Sequence, residues 1–588
     1  METDELETAK RLMIEAKERK DAACYAEAEI LYAQALEIRE RICGPERPDT
    51  AQTQCDLARL YVVQDRFDEA AALHEKALAA REAACGPEHP DTAQSLNFFA
   101  AVYRRRENYE TADAMLLRAI AIAEKTLGLE HPDTAEYWND YGVSRVQQGD
   151  YAQSEILFLR SLAAREKAFG PEGFEITESL NNLAHVYNKQ GRFADAEPLY
   201  LRSLTIREKI RGPQHPHTAL ALNNLAYLYQ AQGRYAEVEP LFLRAQAIRE
   251  TVFGMEHSET AMGLNNLGEF YSKQGKFEQA EDFLQKSLAI YEKVWGAENN
   301  HVATGLNNLA HLYVKQARYE QAETFYLRAQ AIREKTLGAE HPQTATGWNN
   351  LASLYEKQGK YSRAERLYKQ ALAVWEKAFG AEHPQTALCL NNLANLYIMQ
   401  KRYDEAAPLF RQALAIQERL LGPTHVNVAT SAGNLAGVYA RQGRYREAEA
   451  LHLRALAIRQ TVLGPAHLDT AVSLNNLGFL YQEQKQYAAA EPLFAQALVS
   501  MEKTLGPEHP SVATALGNIA LMRQHQKDYA AAEPLYQRAI AINEKHLKPN
   551  HPAVMQSYQN YANFLARKGD WVAATKIMMR LQRMKSAN

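Results

Sequence analysis

Cysteine is scarce in this chain. Cys24, Cys43, Cys55, Cys85 and Cys389 are five in 588 residues, odd in number and without a CxxC pair. A disulfide framework is thereby excluded as the source of stability, and reduced thiols in a cytoplasmic protein fit best. No run of about 18 apolar residues occurs, so no membrane span is expected. The opening Met1-Glu2-Thr3-Asp4-Glu5 is acidic and polar, unlike a signal peptide. Lys and Arg number 67 against 71 Asp and Glu, a net charge of −4. The basic excess of a nucleic-acid binder is therefore missing. There is no P-loop, no GxSxG and no HExxH, so the expectation is a protein that is not an enzyme and holds no cofactor or metal.

What the sequence has is one cassette, repeated. It is clearest at Leu180-Asn181-Asn182-Leu183-Ala184-His185-Val186-Tyr187, followed by Gln190-Gly191-Arg192-Phe193, Ala196-Glu197-Pro198-Leu199-Tyr200 and Gly212-Pro213-Gln214-His215-Pro216. Steps of 42 from Ala16 to Ala562 meet only Ala or Gly, and a second small column from Ala28 to Ala574 is broken only by Ser154 and Val238. Fourteen cassettes of 42 fill residues 1–588, so the expected organisation is a single array with its first and last units as caps.

Each cassette reads as a helical hairpin. Leu180, Leu183, Ala184 and Tyr187 fall at i, i+3, i+4 and i+7, one face of a helix. Gln190-Gly191-Arg192 ends it, with glycine available for a left-handed residue. A second helix carries Phe193, Ala196, Leu199, Tyr200, Ser203, Leu204 and Ile206 inward. Gly212-Pro213 stops that helix, and His215-Pro216 starts the next, where the missing proline N–H has no partner to lose. The small columns let helix axes approach to about 8–10 Å. One hairpin cannot bury its apolar face alone, whereas stacked neighbours can, giving a solenoid. At one helix spacing per hairpin, fourteen span on the order of 130 Å of contour.

The pattern resembles the tetratricopeptide repeat. Trp138, Leu180, Leu222, Leu264, Leu306 and Trp348 form the large column, and Tyr187, Tyr229, Tyr271, Tyr313, Tyr355, Tyr397, Tyr439 and Tyr481 the tyrosine column. The 42-residue form, with Leu-Asn-Asn-Leu-Ala and a Gly-Pro-Glu-His-Pro linker, is similar to the cargo-binding array of kinesin light chains and their prokaryotic relatives. That family also carries a heptad coiled coil, and no heptad segment stands outside the repeats here. The resemblance implies an all-α, right-handed superhelical solenoid of about fourteen hairpins with a long concave groove.

One column points to function. Its members are Asn182, Asn224, Asn266, Asn308, Asn350, Asn392, Asn434, Asn476, Asn518 and Asn560, ten consecutive cassettes with a mediocre helix former. Asn182 lies beside the core positions Leu180 and Leu183, at the edge of the buried face. Its amide offers both donor and acceptor. In related superhelical arrays such asparagines hold the main chain of a bound peptide. The competing reading is that each amide bonds to the next repeat and ties the stack together. A partner column, Asn181, Asn223, Asn265, Asn307, Asn349 and Asn391, fades into Gly433, Asn475, Gly517 and Gln559, so 181–392 is the expected richest stretch of groove. Before it the main column reads Asp56, Phe98 and Asp140. Selectivity is expected from residues one turn on, including His185, Tyr227 and His311, and from Lys189, Lys273, Lys315, Lys357 and Arg441. Of these, His311, Lys273, Lys315 and Lys357 are candidates for the binding row beside the asparagines, and for any single one a solvated polar face is the plainer reading.

The linker histidines, from His89 and His131 to His551, are spaced about one helix apart, too far for neighbours to share a metal ion easily. Capping the next helix is the expected role. Ala-Glu-Pro motifs such as Ala196-Glu197-Pro198 recur with the fold and read as structural. The ends differ in charge: Glu2, Asp4, Glu5 and Glu7 open the chain, while Lys576, Arg580, Arg583 and Lys585 flank the stripe Ala574, Met578, Leu581 and Met584. A capping helix explains the latter, and a basic amphipathic face for an acidic partner is the alternative. A monomer is favoured, with head-to-tail association set against it. The expected function is a scaffold binding extended peptide segments of partner proteins, the alternative a structural spacer or self-assembling rod.

Overall fold

The computed structural model describes residues 2–21, 24–549 and 551–586, and within them holds 28 α-helices and no strand. The side chains of Glu2 and Lys585 lie outside the described residues. The helices pair into fourteen hairpins, the first Glu2–Asp21 with Tyr25–Cys43 and the last Pro552–Lys568 with Trp571–Ser586. The cassette read above becomes Ile176–Lys189 and Phe193–Arg211, and the next first helix begins at Pro216.

The two turns of each cassette are held by different chemistry. Between the helices of a hairpin one residue is left-handed: Gly191 has φ 74°, and Ala317 and Lys401 take the same role at 56° and 61°. In the linkers glycine is demanded more strictly. Gly212 has φ 96° and ψ 160°, a region that side-chain-bearing residues essentially never enter. The linker histidine then caps the next helix, as expected: His215 Nδ1 accepts from the backbone N–H of His217 at 3.2 Å, and His383 Nδ1 from that of Gln385 at 3.2 Å.

The small columns are filled to contact. A Cβ placed on Gly142 would lie 2.6 Å from the Phe158 ring, and one on Gly268 2.6 Å from Leu284. The Ala-Glu-Pro glutamates are structural. Glu197 accepts from Tyr229 Oη of the following hairpin at 3.1 Å and from Arg234 Nη1 at 3.0 Å, with the Arg234 guanidinium 3.8 Å from the Tyr229 ring centroid. A row of buried second-helix arginines, missed in the sequence, adds a further tie. Arg207 Nη1 donates to the His217 carbonyl at 2.9 Å, and Arg459 Nη1 to Ser473 Oγ at 2.7 Å.

The stack curls tightly. First helices of neighbouring hairpins touch one another directly, more so than second helices do, so the first helices lie inside. The curl brings the chain back onto itself. His383 Nε2 is 3.2 Å from the Gln147 carbonyl, His425 Nε2 2.7 Å from that of Lys189 and His551 Nε2 3.3 Å from that of Lys315, each pair 236 residues apart. The turn inside one hairpin thus rests on a linker about five and a half hairpins later, and the superhelix closes against itself along a seam.

Candidate functional site: the inner row of asparagines and the seam

On the inner surface the second asparagine of each cassette is partly exposed, apart from buried Asn266 and exposed Asn476. The first is mostly hidden: Asn181, Asn223, Asn349 and Asn391 are buried, while Asn265 and Asn307 are partly so. The two columns meet between repeats. Asn182 Nδ2 donates to Asn139 Oδ1 at 2.9 Å, Asn350 Nδ2 to Asn307 Oδ1 at 2.8 Å, Asn392 Nδ2 to Asn349 Oδ1 at 3.0 Å and Asn518 Nδ2 to Asn475 Oδ1 at 3.1 Å. Asn308 Nδ2 reaches both Asn265 Oδ1 at 2.9 Å and Glu269 Oε1 at 2.8 Å. With its oxygen turned toward Arg249, Asn223 accepts from Asn266 at 3.2 Å.

This is an amide ladder whose rungs cross every repeat boundary they span. Each rung uses one N–H of the later asparagine. Except at Asn308, whose amide nitrogen also reaches Glu269, the second N–H stays available, as does the oxygen, because a primary amide has two donors and two lone pairs. The tying role is therefore a fact of the geometry, and it does not exhaust the column. The ladder also has gaps. Asn224 leaves the buried Asn181 oxygen unpartnered. Asn391 turns instead to Ser431 Oγ at 3.0 Å, releasing Asn434. Gly433 and Gly517 offer Asn476 and Asn560 no acceptor, and Asn560 accepts from Gln556 at 2.8 Å.

The basic candidates converge over three consecutive hairpins. Lys273 and Lys357 are exposed, and Lys315 is partly covered, its Nζ 3.2 Å from Ser272 Oγ. His311 sits among them. Crowding by protein, together with the charges of Lys315, Lys357 and Lys273, pushes its imidazole down to about 4. The residue is nonetheless exposed. Glu269 is the acid nearest this row, and its charge partly offsets that of Lys273 and Lys315.

Sequence reasoning did not find the seam. In His383, His425 and His467 the Nδ1 atom accepts the helix-capping N–H, so in the neutral ring the proton sits on Nε2. That N–H donates across the seam to the carbonyls of Gln147, Lys189 and Ala231. Burial pushes the His383 imidazole down to about 4 and lowers those of His425 and His467. Apolar and acidic contacts continue the seam: Tyr25 stacks on Trp295 at 4.5 Å, Asp65 faces His301, and burial raises the Glu107 carboxyl, beside Gln343, to about 7. Gly149 packs so closely that a Cβ would lie 2.8 Å from Pro384. The one signal was the histidine column itself, whose second nitrogen had no assigned partner.

Among the described residues, one trio of metal-type side chains approaches, Cys85, His89 and Asp91. His89 spends its Nδ1 on the helix cap and is exposed, and Asp91 is partly exposed.

The tetratricopeptide-repeat family description matches at residues 20–83, 61–125, 91–167, 175–251, 219–293, 301–377, 344–419, 390–461, 427–503, 469–545 and 511–586. No curated protein matches. Among solved structures, a Podospora anserina protein described as a kinesin light chain with nearly identical repeats is 26% identical, over 35% of this chain and 96% of its own, at a TM-score of 0.31. BtubC of P. vanneervenii is 24% identical over 40% of this chain and 92% of its own, at a TM-score of 0.32.

Proposed function

Because the chain belongs to the tetratricopeptide-repeat family, whose members generally mediate protein–protein interaction, we propose that it is a non-enzymatic scaffold that holds an extended peptide segment of a partner protein along its inner row. The observation that carries this reading is the partly exposed asparagine column, in which every rung but that of Asn308 leaves an N–H and an oxygen uncommitted. Those groups match the repeating donor and acceptor of a peptide main chain. The Lys273, Lys315 and Lys357 stretch adds preference for acidic side chains. Because successive turns touch, a segment reaches the inner row along the superhelix axis unless the seam opens.

The spacer reading draws on the ladder and the seam, both of which stiffen the array. It also fits the first helix, where Glu15 and Glu18 are exposed at positions that hold buried Leu57 and Leu60 one cassette later. A polar outer face of that kind caps a stack, which favours a monomer over head-to-tail growth.

The test is capture of partners from source-cell lysate with wild type beside Lys273→Ala/Lys315→Ala/Lys357→Ala. That variant leaves every ladder rung intact. Partners held by the wild type and lost by the variant support groove binding. Identical captures, or none, favour the spacer.

A further inference from the structure

At one place the ladder stops and the inner row becomes hollow. Gly433 and Gly437 stand in the first helix Val426–Arg441 where earlier cassettes carry Asn181 and His185 or Asn223 and Tyr227. A Cβ on either glycine would meet nothing within 4 Å. Behind them His452 stands in a column that reads Tyr200, Phe242, Phe410 and Phe494 in other cassettes, with Leu116 and Leu284 in two and a second histidine, His74, near the start of the chain. These three departures fall together and leave a cavity of about 240 Å³.

The lining narrows what fits. Ile398, Ala440, Phe479 and Leu480 give apolar walls with one aromatic face. Arg441 and Glu483, paired at 3.1 Å, sit at the rim without net charge, so neither an anion nor a cation is drawn in. At the back, His452 is 5% exposed, and its ring nitrogens form no hydrogen bond among the described residues. Burial lowers its pKa to about 4, so at neutral pH it is an uncharged ring with one donor and one acceptor. Asn434 and Asn476, both without a ladder partner, flank the opening. A ligand entering the cavity takes the place of water at those nitrogens, and one that supplies a replacement partner is favoured over one that does not.

We infer that this cavity takes the side chain of a tyrosine in the bound segment, its ring against Phe479, its hydroxyl on His452 and its neighbouring main chain on Asn434 and Asn476. The inference rests on the groove reading above, and it deepens it by naming one side chain at one position.

The test uses the full chain and two probes, p-cresol for the tyrosine side chain and toluene for phenylalanine, followed by ligand-observed NMR titration. Saturable p-cresol binding is expected, with toluene weaker by roughly three- to tenfold. His452→Phe restores the residue used at Phe410 and Phe494, so the fold is kept, and the p-cresol advantage should vanish. Gly437→Leu fills open space in a helix and should abolish binding of both probes. The inference is overturned if p-cresol fails to saturate, if His452→Phe keeps the preference, or if Gly437→Leu leaves binding intact. The titration needs no partner protein, so its failure and a failure of the capture experiment are told apart.

Discussion

Acidification should open the seam before it unfolds the helices. In His383 both ring nitrogens are engaged: Nδ1 accepts from the Gln385 N–H at 3.2 Å and Nε2 faces the Gln147 carbonyl at 3.2 Å. Protonation places a hydrogen on Nδ1, opposite another N–H, so the cap is lost and a charge is left in a buried contact. Its folded pKa of about 4 lies below the ordinary imidazole value of 6.5, so the folded state binds fewer protons than the unfolded one between those values. The stabilisation is complete above pH 6.5, drains as the pH falls toward 4, and amounts to about 3 kcal/mol for this residue at 1.36 kcal/mol per unit. His425 and His467 shift in the same direction and add to it. Glu107 and Asp65, raised by burial, work the other way. The histidine rungs outnumber them, so the net effect is loosening. Small-angle scattering at pH 7.5 and 4.5 should show a larger radius of gyration at the lower pH, with far-ultraviolet circular dichroism retaining its helical signal. The matched variant is His383→Asn/His425→Asn/His467→Asn. Asn299 already caps a helix at this linker position, its Oδ1 accepting from the His301 N–H at 2.8 Å. The variant should be open at pH 7.5 and indifferent to pH. A wild type of unchanged dimensions, or a variant as compact as the wild type at pH 7.5, refutes the reasoning.

Three further outcomes follow from the same contacts. Asn350→Ala removes a rung and should weaken protection of the adjoining helices in hydrogen exchange by about 1 kcal/mol, whereas Asn476→Ala, which has no rung to lose, should be near neutral; equal effects would argue against the ladder. Gly212→Ala forces a side chain into the linker conformation and should cost about 1–3 kcal/mol, while Ala317→Gly relieves a left-handed alanine and should be stabilising by up to about 1 kcal/mol, both read by urea denaturation. Glu107→Gln removes a carboxylate that seam burial raises to about 7; its gain should reach about 3 kcal/mol at pH 8 and fade toward pH 5.

The sequence alone determined the hairpins. The 42-residue register, the small columns, the Gly-Pro break and the His-Pro start are local signals, and each acts within a turn or two of helix. That is why helix boundaries, the histidine caps and the role of the repeated glutamates were legible from one cassette. The asparagine columns were legible as columns, and their two readings were stated, but the direction of the rungs was not. It depends on how far one hairpin is rotated on the next, which places Asn182 against Asn139 rather than against solvent. The seam was beyond sequence reasoning for the same reason compounded. A small rotation per repeat, summed over about five and a half hairpins, decides whether the Gln147 carbonyl meets His383 or open water, and no single cassette encodes that sum. The cavity at Gly433, Gly437 and His452 was scattered over three columns that looked like ordinary variation. Only the packing of two helices brought those absences to one point.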